Sequence, residues 1–190
     1  MKLKIYFVLF LMFYLKSFSQ NTENQIKKDI NNYLKIFVDK DFSKISQYSY
    51  PEMKKYIDEE EYVEDLKESF RDREDVKISI LNPKVNNISE LYHIDNVYYS
   101  IIDYSNIISF DFSRKDEEET STIIEALESA YGDGNVFFFP EEKIFKALVH
   151  KIIIAKSKDG KDNWKFLVLH GNNEFVNMII PINIFLKIFK

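Results

Sequence analysis

A chain of 190 residues with 45% hydrophobic and 30% charged side chains has the make-up of a soluble globular protein with one sizeable core. Its net charge of −5, without any basic cluster, argues against nucleic acid and anionic membrane surfaces as partners. No Cys is present, which excludes disulfide staples, a thiol nucleophile and a lipid-modified cysteine.

The first 20 residues stand apart. Lys2 and Lys4 precede an uninterrupted apolar run, Ile5 to Leu15, and Ser17-Phe18-Ser19 offers small side chains at a cleavage site. This is the pattern of a secretory signal peptide cut after Ser19 or Gln20, leaving residues 21–190 as a single domain. The run falls short of the ~20 residues a spanning helix needs. The expectation is a secreted or periplasmic protein with no stable membrane anchor after cleavage. Losing Lys2, Lys4 and Lys16 and no acid takes the net charge to −8, 23 basic against 31 acidic side chains.

Ile26, Ile30, Leu34 and Phe37 recur at helical spacing and predict an amphipathic helix over 23–39. Asp41 is placed to cap a short helix holding Phe42 and Ile45. Pro51 pushes Tyr50 out of the helical region and opens a further turn through Met53 and Ile57. The run Asp58-Glu59-Glu60-Glu61 has the composition of a metal site. It precedes Tyr62, Val63, Leu66 and Phe70 at helical spacing, however, where acids in a first turn complement the helix dipole.

From Val76 the period changes to two. Val76, Ile78 and Ile80 predict a strand that Asn82-Pro83 ends or bends. Leu91–Tyr104 and Ile107–Phe112 read as two more strands, separated by a turn at Ser105-Asn106. A second acidic run, Asp116–Glu119, introduces a helix with Ile123, Ile124, Leu127, Ala130 and Tyr131 on one face and Gly132 at its end. Val136–Phe139 is a short strand stopped by Pro140. Lys146–Lys156 has apolar groups on both faces and predicts a strand covered on both sides. Asp159-Gly160 suits a hairpin tip, and Trp164–Leu169 returns as its partner strand. The apolar tail, Val176–Phe189, is divided by Pro181; it reads as a segment that closes the sheet or builds a dimer interface.

Strands segregated from helices and joined by hairpins indicate an α+β fold, a curved, mainly antiparallel sheet packed on N-terminal helices with a long C-terminal β-hairpin. The order of these elements resembles the nuclear transport factor 2-like, or cystatin-like cone, superfamily, and more narrowly its secreted bacterial members of unassigned function. The resemblance rests on the helical first third, Ile26 to Phe70, the turn Gly134-Asn135-Val136, the strand Val149 to Ala155, Trp164-Lys165-Phe166, and Ile179-Ile180-Pro181. It implies a cone with an apolar pocket between helices and concave sheet, for which Trp164 and Phe166 are the expected pocket and core anchors.

Two arrangements carry chemistry. A hairpin symmetric about Gly160 sets Ile154 opposite Phe166, Ile152 opposite Val168, and His150 opposite His170, a pair that with a third ligand would hold a metal; a slip of one residue separates them. Cone folds, as the resemblance implies, also include isomerases and dehydratases with a carboxylate or His base and a Tyr donor. His93, Asp95, Tyr98, Asp103 and Tyr104 are the residues of those kinds on a predicted strand, and a buried carboxylate among them would have a raised pKa. Ionisable residues alternate with apolar ones on any half-wet strand, so the same five fit plain scaffold. No Gly-rich phosphate loop, G-x-S-x-G or H-E-x-x-H is present. The sequence-based expectation is a non-catalytic module that binds a small molecule or protein partner, without cofactor, and is able to form a homodimer. A small isomerase or hydrolase is the alternative.

Overall fold

The computed structural model describes residues 22–112, 120–169 and 173–189. Helix α1 (22–39) buries Ile26, Ile30, Tyr33, Leu34 and Ile36 along one stripe, as its spacing requires. Two 3-10 helices follow, Phe42–Gln47 and Pro51–Lys55, the second opened by Pro51. Asp41 does not cap the first. Its carboxylate takes the Ser43 hydroxyl at 2.7 Å and the Lys44 ammonium at 2.6 Å instead of a backbone N–H. Asp58 does cap α2 (Glu59–Ser69), accepting from the N–H groups of Glu60 and Glu61, and Glu59, Glu60 and Glu61 fill its first turn. The second acidic run, Asp116–Glu119, lies outside the described residues.

The sheet has six strands, all paired antiparallel: β1 (Lys77–Ile88), β2 (Tyr92–Ile94), β3 (Val97–Asp111), β4 (Val136–Phe139), β5 (Ile144–Ser157) and β6 (Lys165–Val168). With the helices they make an α+β fold. The strands β3 and β5 are central and pair without interruption from Tyr98–Ser157 to Asp111–Ile144. The outer edge of β3 carries β1 and β2; the outer edge of β5 carries β4 and β6. Helix α3 (Thr120–Tyr131) ends at Gly132, and α4 (Asn173–Ile179) and α5 (Ile182–Ile188) are parted by Pro181. Among the described residues no helix is long and apolar enough to cross a membrane.

Two sequence expectations are corrected by this topology and a third is narrowed. The turn placed at Ser105-Asn106 lies instead at Asp95-Asn96, both with positive φ (51° and 62°), as a two-residue hairpin turn demands. Ser105 and Asn106 sit inside β3, opposite His150 and Val149. Of the two outcomes expected at Asn82-Pro83, an end or a bend, the strand bends and runs on, with Asn82 at φ 50° and a register shift between Leu81 and Lys84, which an edge strand tolerates. The β5–β6 ladder sets Ile154 opposite Leu167 and Ile153 opposite Val168, one residue away from symmetry about Gly160. The physical reason is the connection, which occupies 158–164 and is shaped by Asp159. Its carboxylate accepts from Ser157 Oγ and from the N–H groups of Lys161 and Asp162.

Alternate residues of the central strands face two separate cores. On one face, α1 packs on Ile102, Ile153, Ala155, Trp164 and Phe166, and further along α3 packs on Phe110, Phe145 and Ala147. On the other, Ile179, Ile180, Ile184 and Ile188 of the C-terminal helices cover Ile154, Leu167 and Tyr99. Double coverage of β5 therefore holds at Ile153, Ile154 and Ala155, all fully buried, and fails at His150 and Ile152, which are exposed. Lys156 on that second face bonds Glu52 at 2.5 Å and lies 4.8 Å from the Tyr50 ring centre, tying the second 3-10 helix to β5.

Gly160 has φ +69°, and a Cβ there would stand 2.8 Å from Cγ of the Tyr98 ring. Gly160→Ala is expected to cost ~2–3 kcal/mol in urea unfolding, from left-handed backbone plus overpacking, against about 1 for Gly134→Ala, where a Cβ meets nothing within 4 Å. Equal costs would show that Tyr98 yields freely. Partial burial disfavours the Glu52 carboxylate, but the Lys156 hydrogen bond and charge outweigh it and hold its pKa below the ordinary range. A lowered carboxylate pKa stabilises the fold above the unfolded value and loses that stability as pH falls through the folded one. The stability gap between wild type and Glu52→Gln should thus be present at pH 7 and close below about pH 4; a gap that persists at lower pH would contradict the pairing.

Candidate functional site

Between α1, α2 and the first face of the sheet lies a cavity of about 360 Å3. Tyr33, Leu34 and Phe37 come from α1, Tyr62 and Leu66 from α2, Phe70 from the residue after it, and Ile80, Tyr104, Asn106, Ile108, Val149 and Lys151 from the strands. The helices supply these residues because a 3.6-residue repeat turns one stripe inward; the strands supply them because every second residue faces the same way. Helix α2 has no fully buried residue, since its apolar stripe faces this cavity.

The polar groups of the lining are few and specific. Burial pushes the Tyr33 hydroxyl well above the ordinary phenol range, with Tyr62 and Tyr104 adding to the effect. Burial also raises Tyr62, and raises Tyr104 to about 12. All three are neutral hydrogen-bonding groups at physiological pH. Three buried side-chain polar atoms lack a partner among the described residues, Glu52 Oε2, Trp164 Nε1 and Asn106 Oδ1, and only Asn106 lines the cavity. Lys151 makes no ion pair among the described residues, and no acidic side chain is in the lining. The surface can therefore solvate an apolar body, donate several hydrogen bonds and accept at least one; among the described residues lining it there is no carboxylate or imidazole.

A second hollow, along the outside of α2, is lined by Lys40, Glu64, Lys67, Glu68, Arg71 and Asp72. These charges pair with one another, Lys67 with Glu64, Arg71 with Glu68 and Lys40 with Asp72, so they hold little in reserve for a ligand.

The structure disperses most of the residues singled out from the sequence. Tyr104 lines the cavity, but Asp103, its neighbour on β3, faces the other way and meets Asn86 at 3.4 Å. Asp95 is exposed in the β2–β3 turn. His93 is exposed and stacks on Tyr98, ring centres 4.3 Å apart. Trp164 and Phe166 are both buried; Phe166 reaches the cavity and Trp164 packs behind it. His150 is exposed and stands opposite Ser105, the β5–β6 ladder reaches only Ile153 and Val168, and His170 lies outside the described residues. No group of three or more His, Asp or Glu suited to a metal occurs among the described residues.

Sequence reasoning missed Asn106 and Lys151. The signal for Asn106 was its spacing: Ile102, Tyr104, Asn106 and Ile108 repeat every second residue on one strand, which a turn at 105–106 conceals. No protein-family model, curated protein or solved structure matches the chain.

An orphaned buried amide oxygen costs ~1–3 kcal/mol. Asn106→Leu is accordingly expected to leave the unliganded protein as stable as wild type or more stable by up to that amount in denaturant unfolding. A clear loss of stability would mean that Asn106 is already bonded.

Proposed function

We propose that the chain is an exported binding protein of the cone type, related to the nuclear transport factor 2-like superfamily, that carries a small apolar molecule in the cavity beneath α1 and α2. The observation that carries this reading is the cavity itself: about 360 Å3, walled by aromatic and aliphatic side chains and holding one unpartnered amide oxygen. That volume falls at the lower end of the ~300–1,000 Å3 range of small-molecule sites, and a mostly apolar wall with a few placed polar groups is their usual make-up. Export is supported by Lys2 and Lys4, the run Ile5 to Leu15, and Ser17 and Ser19. Binding is supported by the mostly aromatic and aliphatic lining of the cavity among the described residues.

Two measurements test this. The exported protein should begin at Gln20 or Asn21 on N-terminal sequencing, whereas recovery of an intact Met1 would reject the export assignment. Native mass spectrometry should find a retained small molecule, or titration of the stripped protein with an apolar fluorophore should show saturable binding that Leu66→Trp blocks. Neither signal would reject the binding assignment.

A further inference from the structure

The strand β3 brings Tyr104 directly opposite Lys151 of β5, and places Asn106, paired with Val149, one step along the same face. Side chains on such diagonal positions lie ~7–8 Å apart at their bases, well within the reach of a lysine stem. The cavity thus presents an ammonium and an amide oxygen on neighbouring positions, with the phenols of Tyr33, Tyr62, Tyr104 and Tyr131 and the Ser49 hydroxyl elsewhere in a mostly apolar lining.

We propose that the cavity takes a small apolar organic acid, with its carboxylate on Lys151 and a hydroxyl or N–H group on Asn106 Oδ1; this rests on the binding function argued above. The donor count selects that class. An ammonium has three donors and no acceptor, each phenol can donate, and the Asn106 oxygen only accepts. The site is therefore rich in donors and short of acceptors, which suits a carboxylate, while one acceptor asks for one ligand donor. A neutral lipid would leave the donors of the Lys151 ammonium unused. A phosphate ester would bring up to two negative charges to a single cation, without the Gly-rich backbone cradle such groups use. Among the described residues lining the cavity none is a carboxylate, so none of them takes up the positive charge of Lys151. The neighbouring Tyr104 hydroxyl is placed to share the bound carboxylate.

Calorimetric titration of the purified protein with three probes of similar size separates the contributions. Indole-3-acetate carries the acid and an N–H; indole-3-acetamide keeps the N–H without the charge; naphthalene-1-acetate keeps the charge without the N–H. Indole-3-acetate should bind about 10-fold or more tightly than either of the others, the typical value of a charged or a buried hydrogen bond. Lys151→Met should abolish the preference for acid over amide and leave the preference for indole over naphthalene. Asn106→Leu should do the reverse, and Lys151→Arg, as a control for folding, should retain the acid preference. Equal binding of acid and amide, or an acid preference that survives Lys151→Met, would overturn the proposal while leaving the cavity a binding site. Failure of all three probes to bind, with the apolar fluorophore also silent, would remove the binding function as well.

Discussion

The unbroken pairing of β3 with β5 is the constraint on which the rest of the molecule depends. Once Tyr98 is fixed opposite Ser157 and Asp111 opposite Ile144, the two-residue alternation assigns every side chain of both strands to one of two faces. Ile102, Tyr104, Asn106 and Ile108 go to the side of α1, with Ala147, Val149, Lys151, Ile153 and Ala155 beside them. Asp103, Ser105, His150 and Ile152 go to the other. No later adjustment of a loop can move a residue across that divide, so a carboxylate at 103 cannot work with a phenol at 104.

The cavity follows from how the helices meet that face. Helix α1 covers the end around Ile153 and Phe166, and α3 covers the end around Phe110 and Phe145. The middle, at Tyr104, Asn106, Val149 and Lys151, is roofed by the half-buried stripe of α2 and by rings that meet edge to face, Phe37 with Phe42 and with Phe70. Polar side chains in that middle limit how closely an apolar helix can settle, because closing over them without partners would strand more groups like Asn106 Oδ1.

Much of this was legible in the sequence where one local rule acted alone. Apolar spacing marked α1, α2 and α3, the acidic run from Asp58 and Gly132 marked helix ends, and Pro140 marked the end of β4. The reading failed where two rules competed. Ser105-Asn106 has turn composition, but so does Asp95-Asn96, and only the second allows β3 to pair along its full length. The hairpin register depended on Asp159 bonding two backbone N–H groups, a geometry that composition does not disclose. The site was least legible for the same reason: Lys151 and Tyr104 become neighbours only through long-range pairing, and neither looks unusual in its own strand.

Asn106 has a consequence for the chain's endurance. A buried acceptor left without a donor lowers the stability of the unloaded fold, and a molecule that supplies the donor restores it, so occupancy and resistance to unfolding become one quantity. At a ligand concentration of 100 Kd the linkage is worth about 2.7 kcal/mol. For a protein without disulfides, that difference sets how often the chain opens to attack by a protease. On the proposed binding function, copies holding a ligand would outlast empty ones, and the population would sort itself by occupancy without any dedicated sensor.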